Sequence, residues 1–311
     1  MNAKVLFEEQ ALHCEGRSPL YAQLCRRFAD DPVAARILDR YGEGRGALAL
    51  LGGLHFLVLA GDASWDDPLE RHEDFLIEYV ARQDVQTNEA QRSLVLLPLF
   101  LHAAGGAEAV DVVELGASAG LNLVFDRYRY KYEEELRGPE GAALVLRGEE
   151  RRPLRRALLQ RPLNIRSRVG IDRAPIDVTT SDGVRLLESF VWPGQEERVR
   201  RLHAAIQVVR ADPPPIVAGD LVDVLPDLLD GLPRDGLALV FQTGVFEYIA
   251  PDARARVREV LERADRDLVF VASGRPRDEE RAWGMRIYRP GHGHAFVGHA
   301  DYHGTWLDYE L

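Results

Sequence analysis

The chain is poor in cysteine. Its 311 residues include only Cys14 and Cys25, too few for the disulfide framework that stabilises small secreted domains. The first residues also lack the long apolar core of a secretory signal peptide. Both observations favour a reducing compartment, and we therefore expect a cytoplasmic protein.

Long apolar runs and an excess of positive charge are also missing. The most apolar stretch, Ala47–Gly61, is broken by His55 and by glycines and is too short for a comfortable membrane span, so we expect a buried helix and no membrane association. The net charge of −11 argues against binding nucleic acid through overall charge. Arginines clustered in Arg151–Arg168 leave two interpretations open, a solvated surface and a local basic groove.

The first third of the chain has helical periodicity. Apolar residues recur at every fourth position behind Pro19, which suits the first turn of a helix. Asn88 and Gln91 have the spacing of a capping box before an apolar run. We predict a helical domain over 1–108, with helices from Pro19, from Pro32, and over Ala47–Ala60, Leu69–Val80 and Asn88–Ala104.

From residue 109 onward, short β-type runs alternate with helical patterns, as is typical of parallel βαβ units. The sequence predicts an α/β protein with a Rossmann-like, mainly parallel sheet, antiparallel C-terminal edge strands and a preceding helical domain; the sheet domain covers 109–311. The parallel strands are predicted at Val110–Glu114, Arg168–Asp172, Pro215–Gly219, Ala238–Thr243 and Asp267–Ser273. The helices between them are predicted at Gly120–Asp126, Asp182–Phe190, Glu196–Val209, Val222–Leu229 and Pro251–Arg263.

One segment departs from the βαβ pattern. Residues Arg127–Tyr132 alternate with period two, Gly138 and Pro139 form a turn signal, and Ala143–Leu146 is another β-type run. We predict a β-hairpin inserted at about 127–148, between the first helix and the second strand.

The strongest local signal follows the first predicted strand. An apolar run ends in Glu114 and continues through Gly116, Ser118 and Gly120 to Asn122. The glycines permit a sharp turn and a close approach to a ligand. A dinucleotide-binding loop would hold a pyrophosphate here, but the acid before the loop disfavours an anion. The acid suits the positive aminoacyl end of S-adenosylmethionine (SAM). The alternative interpretation of the whole segment is a structural turn without a ligand.

Polar side chains also end the next three strands. Asp172 is placed to accept hydrogen bonds from ribose hydroxyls, with helix capping as the alternative, and Asp220 is a candidate acceptor for the adenine amino group. Successive parallel strands present their carboxyl ends at one edge, where ligands of open α/β sheets bind. We assign to the cofactor Glu114, Gly116, Ser118, Gly120, Asn122, Asp172, Asp220 and Gln242.

Three residues are candidates for catalysis. Thr243 and Tyr248 follow the fourth strand, where an acceptor would be oriented, although core packing explains Tyr248 equally well. His303 is a candidate general base because imidazole titrates near neutral pH. The neighbouring C-terminal histidines match no zinc-binding spacing, so we expect no metal.

Several segments together match a known pattern. They are Gln86–Glu89 with Arg92, Glu114–Tyr130, Ile171–Val178, Val191–Pro193 with Glu197, Arg198 and Leu202, Gly219 with Asp220, and His303–Leu307. On these residues the chain resembles a bacterial family of unknown function that is classed by fold with SAM-dependent methyltransferases. The resemblance implies that fold and SAM as the cofactor. Gln242-Thr243 departs from the His-Thr that the family pattern leads us to expect.

A polar run precedes the last helix of the helical part. Gln86, Asn88, Glu89 and Arg92 either cap that helix or form a lid contact into the ligand cleft. Trp192, in a rigid Trp-Pro corner, suits a pocket wall or the core. We group these five residues as candidates for substrate or lid contacts.

The leading hypothesis is a SAM-dependent methyltransferase acting on a small-molecule acceptor, because the chain is acidic and a helical cap would cover its cleft. A non-catalytic SAM- or nucleotide-binding sensor is the alternative, since no clear catalytic base stands out. A nicotinamide-dependent oxidoreductase suits Ser118 and Glu114 less well.

Overall fold

The computed structural model describes residues 3–39, 46–83, 85, 87–133, 135–274 and 282–311. Its helices are α1 (Ala3–Cys14), α2 (Pro19–Phe28), α3 (Pro32–Leu38), α4 (Gly46–Ala60), α5 (Glu73–Arg82), α6 (Arg92–Ala104), α7 (Arg156–Leu159), α8 (Ser181–Ser189), α9 (Glu196–Ala211), α10 (Leu221–Gly231) and α11 (Pro251–Arg263). Its strands are β1 (Val110–Leu115), β2 (Arg129–Tyr132), β3 (Glu135–Arg137), β4 (Val145–Arg147), β5 (Glu149–Glu150), β6 (Ile165–Asp172), β7 (Ile216–Ala218), β8 (Leu237–Gln242), β9 (Leu268–Ser273), β10 (Ala282–Arg289), β11 (Gly293–Asp301) and β12 (Trp306–Tyr309). None of the helices in these ranges is both long and apolar enough to cross a membrane.

The chain divides into two compact units. The helical unit comprises Met1–Asn88 with Asp177–His203, and the sheet unit comprises Glu89–Ile176 with Ala204–Leu311. These units do not follow the predicted boundary at residue 108, because α6 belongs with the sheet and α8 with the helices. The division into domains at 1–108 and 109–311 stays a prediction.

The helical unit is built on amphipathic helices around an apolar one. Asp31 caps α3 by accepting the N–H of Val33 at 2.7 Å, which satisfies a donor that the first turn leaves open. α4 is buried along most of its length, and a Cβ at Gly52 would lie 2.7 Å from the Phe190 ring. The sequence did not single out α1, because its apolar residues point both inward and outward; Leu12 is 67% exposed.

The sheet unit has the predicted α/β fold. Its main sheet joins nine described strands in the order β5-β12-β11-β10-β9-β8-β1-β6-β7. β7, β6, β1, β8 and β9 are parallel neighbours, and β10, β11 and β12 continue the sheet in antiparallel fashion. When the five parallel strands are numbered along the chain, their order across the sheet is 3-2-1-4-5, as at the start of the Rossmann order. β1 is buried throughout, as expected for a central parallel strand.

A β-hairpin lies within the predicted insertion, but it does not join the predicted strands. The run Ala143–Leu146 was expected to pair with Arg127–Tyr132 across the turn at Gly138 and Pro139, and β3 takes that place instead. β2 pairs antiparallel with β3, and β4 adds a parallel strand on the other side of β2 to form a separate three-stranded sheet. The alternating tyrosines that predicted β2 are fully buried, and the Tyr132 hydroxyl donates to the Leu94 carbonyl at 2.6 Å. The period-two pattern therefore reflects one face turned toward the sheet unit's own core.

Candidate functional site

The centre of the candidate site is the carboxyl end of β1. β1 lies between β6 and β8, with Glu114 level with Gly170 and Phe241. The strand order reverses at β1, and open α/β sheets bind ligands beyond the strand ends at such a switch point. The structure therefore brings Glu114, Asp172 and Gln242, on three adjacent strands, to one edge of the sheet.

The loop after β1 needs glycine at two positions. Gly116 has φ +75° and Gly120 has φ +74°, in the left-handed region that residues with a Cβ avoid. A Cβ at Gly116 would lie 2.6 Å from a Val245 methyl group, and one at Gly120 would lie 2.8 Å from Pro214. Ser118 also has positive φ, at +50°, so the loop has a specific and strained conformation.

Four of the backbone donors of this loop are already used. The N–H groups of Gly116 and Ala117 donate to the Ile171 carbonyl at 2.8 and 3.1 Å, and Gly120 donates to Ala117 at 2.7 Å. The N–H of Ser118 donates to Oδ2 of Asp172 at 2.8 Å. Phosphate-binding loops direct such N–H groups at the anion, and here four of them are bonded within the protein.

The predicted helix at Gly120–Asp126 is wrong. Residues 121–124 form turns and Phe125–Arg127 a single 3-10 turn. The carbonyl of Leu121 accepts the Tyr128 hydroxyl at 2.6 Å, and that of Leu123 accepts Arg168 at 3.1 Å. Because these side chains take carbonyls that a helix would use, no helix N-terminus faces the loop.

Glu114 is a deeply buried carboxyl group. It is 3% exposed, and its Oε2 has no hydrogen-bond partner among the described residues. Burial raises the pKa of Glu114 well above its ordinary value, and the charge of Asp172 raises it further, while Arg92 and the N–H of Leu123 act in the opposite direction. A buried acceptor oxygen without a donor is costly, so Oε2 is suited to a ligand that donates a hydrogen bond or carries positive charge.

Arg92 joins several elements beside Glu114. Its Nε donates to the Tyr302 carbonyl at 3.1 Å and its Nη1 to the Thr243 carbonyl at 3.2 Å. The guanidinium lies 4.7 Å from the ring centroids of both Trp283 and Tyr302, in cation–π range. The sequence did not predict Trp283 or Tyr302 here, because their contacts with α6 are far apart along the chain.

Gln242 is anchored at the end of β8. It is fully buried, its Nε2 donates to the Ser273 carbonyl at 2.8 Å, and its Oε1 has no partner in the part of the chain that the structure describes. The hydroxyl of Ser273 in turn accepts the N–H of Gly244 at 3.0 Å. Ser273 thus fixes the position of the Gln242 amide at the end of β8, and the sequence did not predict its role.

The two predicted strand-end aspartates have different surroundings. Asp172 accepts the N–H of Ala174 at 2.9 Å through Oδ1 in addition to its bond with Ser118, so it links the β1 loop to the end of β6. Asp220 is exposed and caps α10 by accepting the N–H of Val222 at 2.9 Å. A carboxylate offers about four acceptor positions, and the cofactor roles of both residues stay predictions.

The remaining candidates fall into the two units. In the sheet unit, Asn122 accepts the Ser93 hydroxyl at 3.0 Å, while Tyr248 and His303 are partly buried. The Tyr302–Thr305 turn that carries His303 contacts the start of α6, since Nε2 of Gln91 donates to the Gly304 carbonyl at 3.2 Å. The capping box at Asn88 is therefore wrong, because Gln91 bonds elsewhere and α6 begins only at Arg92.

The predicted lid residues are divided between the units. Asn88 ends the first stretch of the helical unit, and Glu89, 3% exposed, begins the sheet unit with Arg92. Trp192 lies in the helical unit with its ring centroid 6.2 Å from that of Tyr21. Gln86 lies outside the described residues. The lid contact itself stays a prediction.

Comparison with known proteins gives a family without an assigned function. A family model described as "Uncharacterized protein conserved in bacteria (DUF2332)" matches residues 4–309. Among solved structures, an S-adenosylmethionine-dependent methyltransferase from Clostridium acetobutylicum ATCC 824 is similar, with 11% identity and a TM-score of 0.28 over 73% of this chain and 78% of that chain. No curated protein matches. The function must therefore be argued from the site.

Proposed function

The chain belongs to this family of uncharacterized bacterial proteins, and we propose that it is a SAM-dependent methyltransferase acting on a small molecule. The observation that carries the proposal is Glu114: a buried carboxyl with an unpartnered oxygen, at the switch point of a parallel sheet. Such a group favours a cationic donor. The ammonium of SAM is one, and it sits on a ligand that also has ribose hydroxyls for Asp172.

The residues at this edge fit the parts of SAM. Oε2 of Glu114 would accept from the ammonium, and ionisation of Glu114 would accompany binding because a nearby positive charge favours the carboxylate. Asp172 has acceptor positions left beyond its two backbone bonds. Oε1 of Gln242 is a further buried acceptor. When bound, SAM supplies an electrophilic methyl group.

The chain's own contribution to the reaction is positioning. Thr243, Tyr248 and His303 are the proposed groups on the acceptor side, with His303 as the proton acceptor where the acceptor must lose one. Holding the acceptor in line with the methyl group removes much of the entropic barrier. We propose a cytoplasmic protein that takes a small-molecule acceptor, and neither nucleic acid nor membrane, as its substrate.

The same geometry disfavours a nicotinamide dinucleotide. A pyrophosphate needs free backbone donors and a helix N-terminus. In this loop the N–H groups of Gly116, Ala117, Ser118 and Gly120 are bonded within the protein, and no helix begins after Gly120 in residues 120–128.

Calorimetric titration of the wild-type protein with SAM, S-adenosylhomocysteine and NADH tests the proposal. We expect saturable binding of the first two and none of NADH. SAM binding without methyl transfer to any of a broad acceptor panel would make the protein a SAM-binding sensor. Binding of NADH alone, or of none of the three, would contradict the proposal.

A further inference from the structure

A cavity of about 300 Å³ lies between α11 and the strands β9, β10 and β11 of the sheet unit. Its floor is formed by three buried residues, Leu261, Phe270 and Tyr288. The volume is at the lower end of the range of roughly 300–1,000 Å³ that is usual for small-molecule sites. The proposed function gives this cavity no role.

The cavity lies on the opposite face of the sheet from the side chain of Glu114. Phe270 is level with Tyr288 on one side and with Val240 on the other. Val240 is level with Val113, the residue before Glu114. Residues that are level across a sheet share one face, and the next residue along a strand points to the other. A ligand in this cavity would therefore be separate from the proposed SAM site.

Tyr288 contributes a polar group as well as a ring. The residue is only 9% exposed, and its hydroxyl has no hydrogen-bond partner among the described residues. Its ring centroid lies 4.6 Å from that of His294, which also lines the cavity, at an angle of 37°. The floor therefore offers aromatic surface for stacking and one hydroxyl for a polar group of the ligand.

The rim of the cavity carries charges of both signs. Arg258 and Glu262 both line it and lie one helical turn apart on α11, a spacing at which opposite charges often pair. Within the described part of the chain, neither residue forms an ion pair. The Arg258 guanidinium lies 5.8 Å from the centroid of the Phe246 ring. Glu262 accepts the N–H of Gly291 at 3.3 Å.

The third charged residue at the rim from α11 is Glu259, and it already pairs with Arg263 at 2.7 Å. Arg258 and Glu262 thus present one positive and one negative charge to the same cavity. Residues four apart on a helix have Cβ atoms about 5–6 Å apart, so both side chains can reach neighbouring charged groups of one small ligand.

We propose that this cavity binds a zwitterionic amino acid with an aromatic side chain. Its carboxylate pairs with the Arg258 guanidinium and its ammonium with Glu262. Its ring lies on the aromatic floor, against Phe270, Tyr288 and His294. Because Arg258 and Glu262 are exposed, each ion pair contributes modestly, and burial of the aromatic ring supplies the larger share of the affinity.

Titration with L-phenylalanine at pH 7 and constant ionic strength tests the proposal. Binding is followed by NMR of the His294 ring protons, which are identified by their loss in His294→Gln. We expect saturable shifts with phenylalanine and none with glycine, which lacks the ring. Phenethylamine and hydrocinnamate each lack one of the two charges, and each should bind about fivefold more weakly than phenylalanine.

Two variants show which charge binds which end of the ligand. Arg258→Gln should lower the affinity for phenylalanine about fivefold, or about 1 kcal/mol, which is the upper end for an exposed ion pair. It should leave the affinity for phenethylamine unchanged, because that ligand has no carboxylate. Glu262→Gln, whose amide can still accept the N–H of Gly291, should lower the affinity for phenylalanine equally and leave that for hydrocinnamate unchanged.

Arg256→Gln and Asp252→Asn are matched controls. These residues lie on the same helix, pair with each other at 3.5 Å and do not line the cavity, so both variants should keep every affinity within about twofold of the wild type. Unsaturable shifts, glycine binding as tightly as phenylalanine, or an equal loss of phenylalanine and phenethylamine affinity in Arg258→Gln would overturn the proposal. SAM binding is not needed for any of these readouts.

Discussion

Replacing Asp172 with alanine removes a carboxylate that holds two stretches of backbone. The N–H groups of Ser118 and Ala174 donate to it at 2.8 and 2.9 Å. Hydrogen bonds to charged groups contribute roughly 1.5–3 kcal/mol each. Asp172 is partly exposed and the released amides can reach water in part, so we take the lower end and expect a total loss of about 2–3 kcal/mol.

The local conformation does not add to this loss, because its strain is present in the wild type as well. Ser118 has φ +50°, a conformation that costs about 1–2 kcal/mol for a residue with a Cβ and that the bond to Asp172 helps to hold. The position of Asp172 in the sequence, at the end of a strand that faces a cleft, indicates no role in core packing. Its two backbone bonds show that the carboxylate also has a structural role.

Urea unfolding of Asp172→Ala measures this contribution as a shift of the midpoint at constant slope. Asp172→Asn keeps one acceptor oxygen and should lose less. Asp220→Ala is a matched control, because that strand-end acid makes a single helix-capping bond, with an expected cost of about 1 kcal/mol. The reasoning is refuted if Asp172→Ala is as stable as the wild type, or if it loses no more than Asp220→Ala.

Three further variants test the packing and electrostatics. Asp111 is fully buried among arginine guanidinium groups that lower its pKa despite burial. Asp111→Asn should lower the free energy of unfolding by about 3 kcal/mol at pH 7, the lower end for a broken buried ion pair. An unchanged midpoint of urea unfolding would contradict this. Gly116→Ala places a Cβ 2.6 Å from a Val245 methyl at φ +75°, and should lower the free energy of unfolding by about 2–4 kcal/mol. The control Gly105→Ala, at φ +60° with open space around it, should lose only the part of this free energy that comes from the backbone conformation. Equal losses in the two variants would disprove the clash. Burial lowers the pKa of His55 to about 4, so the unfolded chain takes up a proton below about pH 6.5 that the folded chain refuses, and stability should fall by about 2 kcal/mol from pH 7 to 5. His55→Asn should flatten that dependence, and an unchanged slope would exclude His55 as its source.

The strands were predictable from local composition. Apolar runs that are buried on both faces, such as β1 and β8, stand out from the amphipathic helices between them. The strand β2 was predictable because Arg129–Tyr132 keeps period two, whereas its antiparallel pairing with β3 was not. These patterns depend on residues close together in the chain.

The segment after Gly120 could not be predicted in the same way. The local sequence predicts a helix over residues 121–123. Side chains from other parts of the sheet unit form hydrogen bonds with these residues instead: Tyr128 with Leu121, Ser93 with Asn122 and Arg168 with Leu123. These bonds stabilise the turns more than the intrinsic helical propensity, which is weak in a short segment, stabilises a helix. Side-chain partners that are distant in sequence leave no local signal.

The candidate site was predictable in part for the same reason. Glu114, Asp172 and Gln242 follow apolar strands, so the shared edge followed from the parallel topology. Trp283 reaches that edge through the antiparallel extension of the sheet, beyond the part that the βαβ pattern defines. Ser273 ends the predicted parallel strand β9, but its bond with Gln242 of the neighbouring strand left no local signal.

The measurement that tests the account most directly is SAM binding to Glu114→Gln, by calorimetry, at several values of pH. The amide keeps the shape of the side chain but carries no charge, so affinity should fall by roughly tenfold to a hundredfold, the loss of one charge-assisted bond of about 1.5–3 kcal/mol.

In the wild type, SAM affinity should rise with pH above the range in which a glutamate ordinarily titrates, because the raised pKa of Glu114 means that a proton must leave before the carboxylate pairs with the ammonium. Glu114→Gln should remove this dependence, and Glu140→Gln, at an exposed turn residue, should preserve both the affinity and the pH dependence. Equal SAM affinity in Glu114→Gln and wild type, with the same pH dependence, would contradict the claim that this buried carboxyl group binds the cofactor.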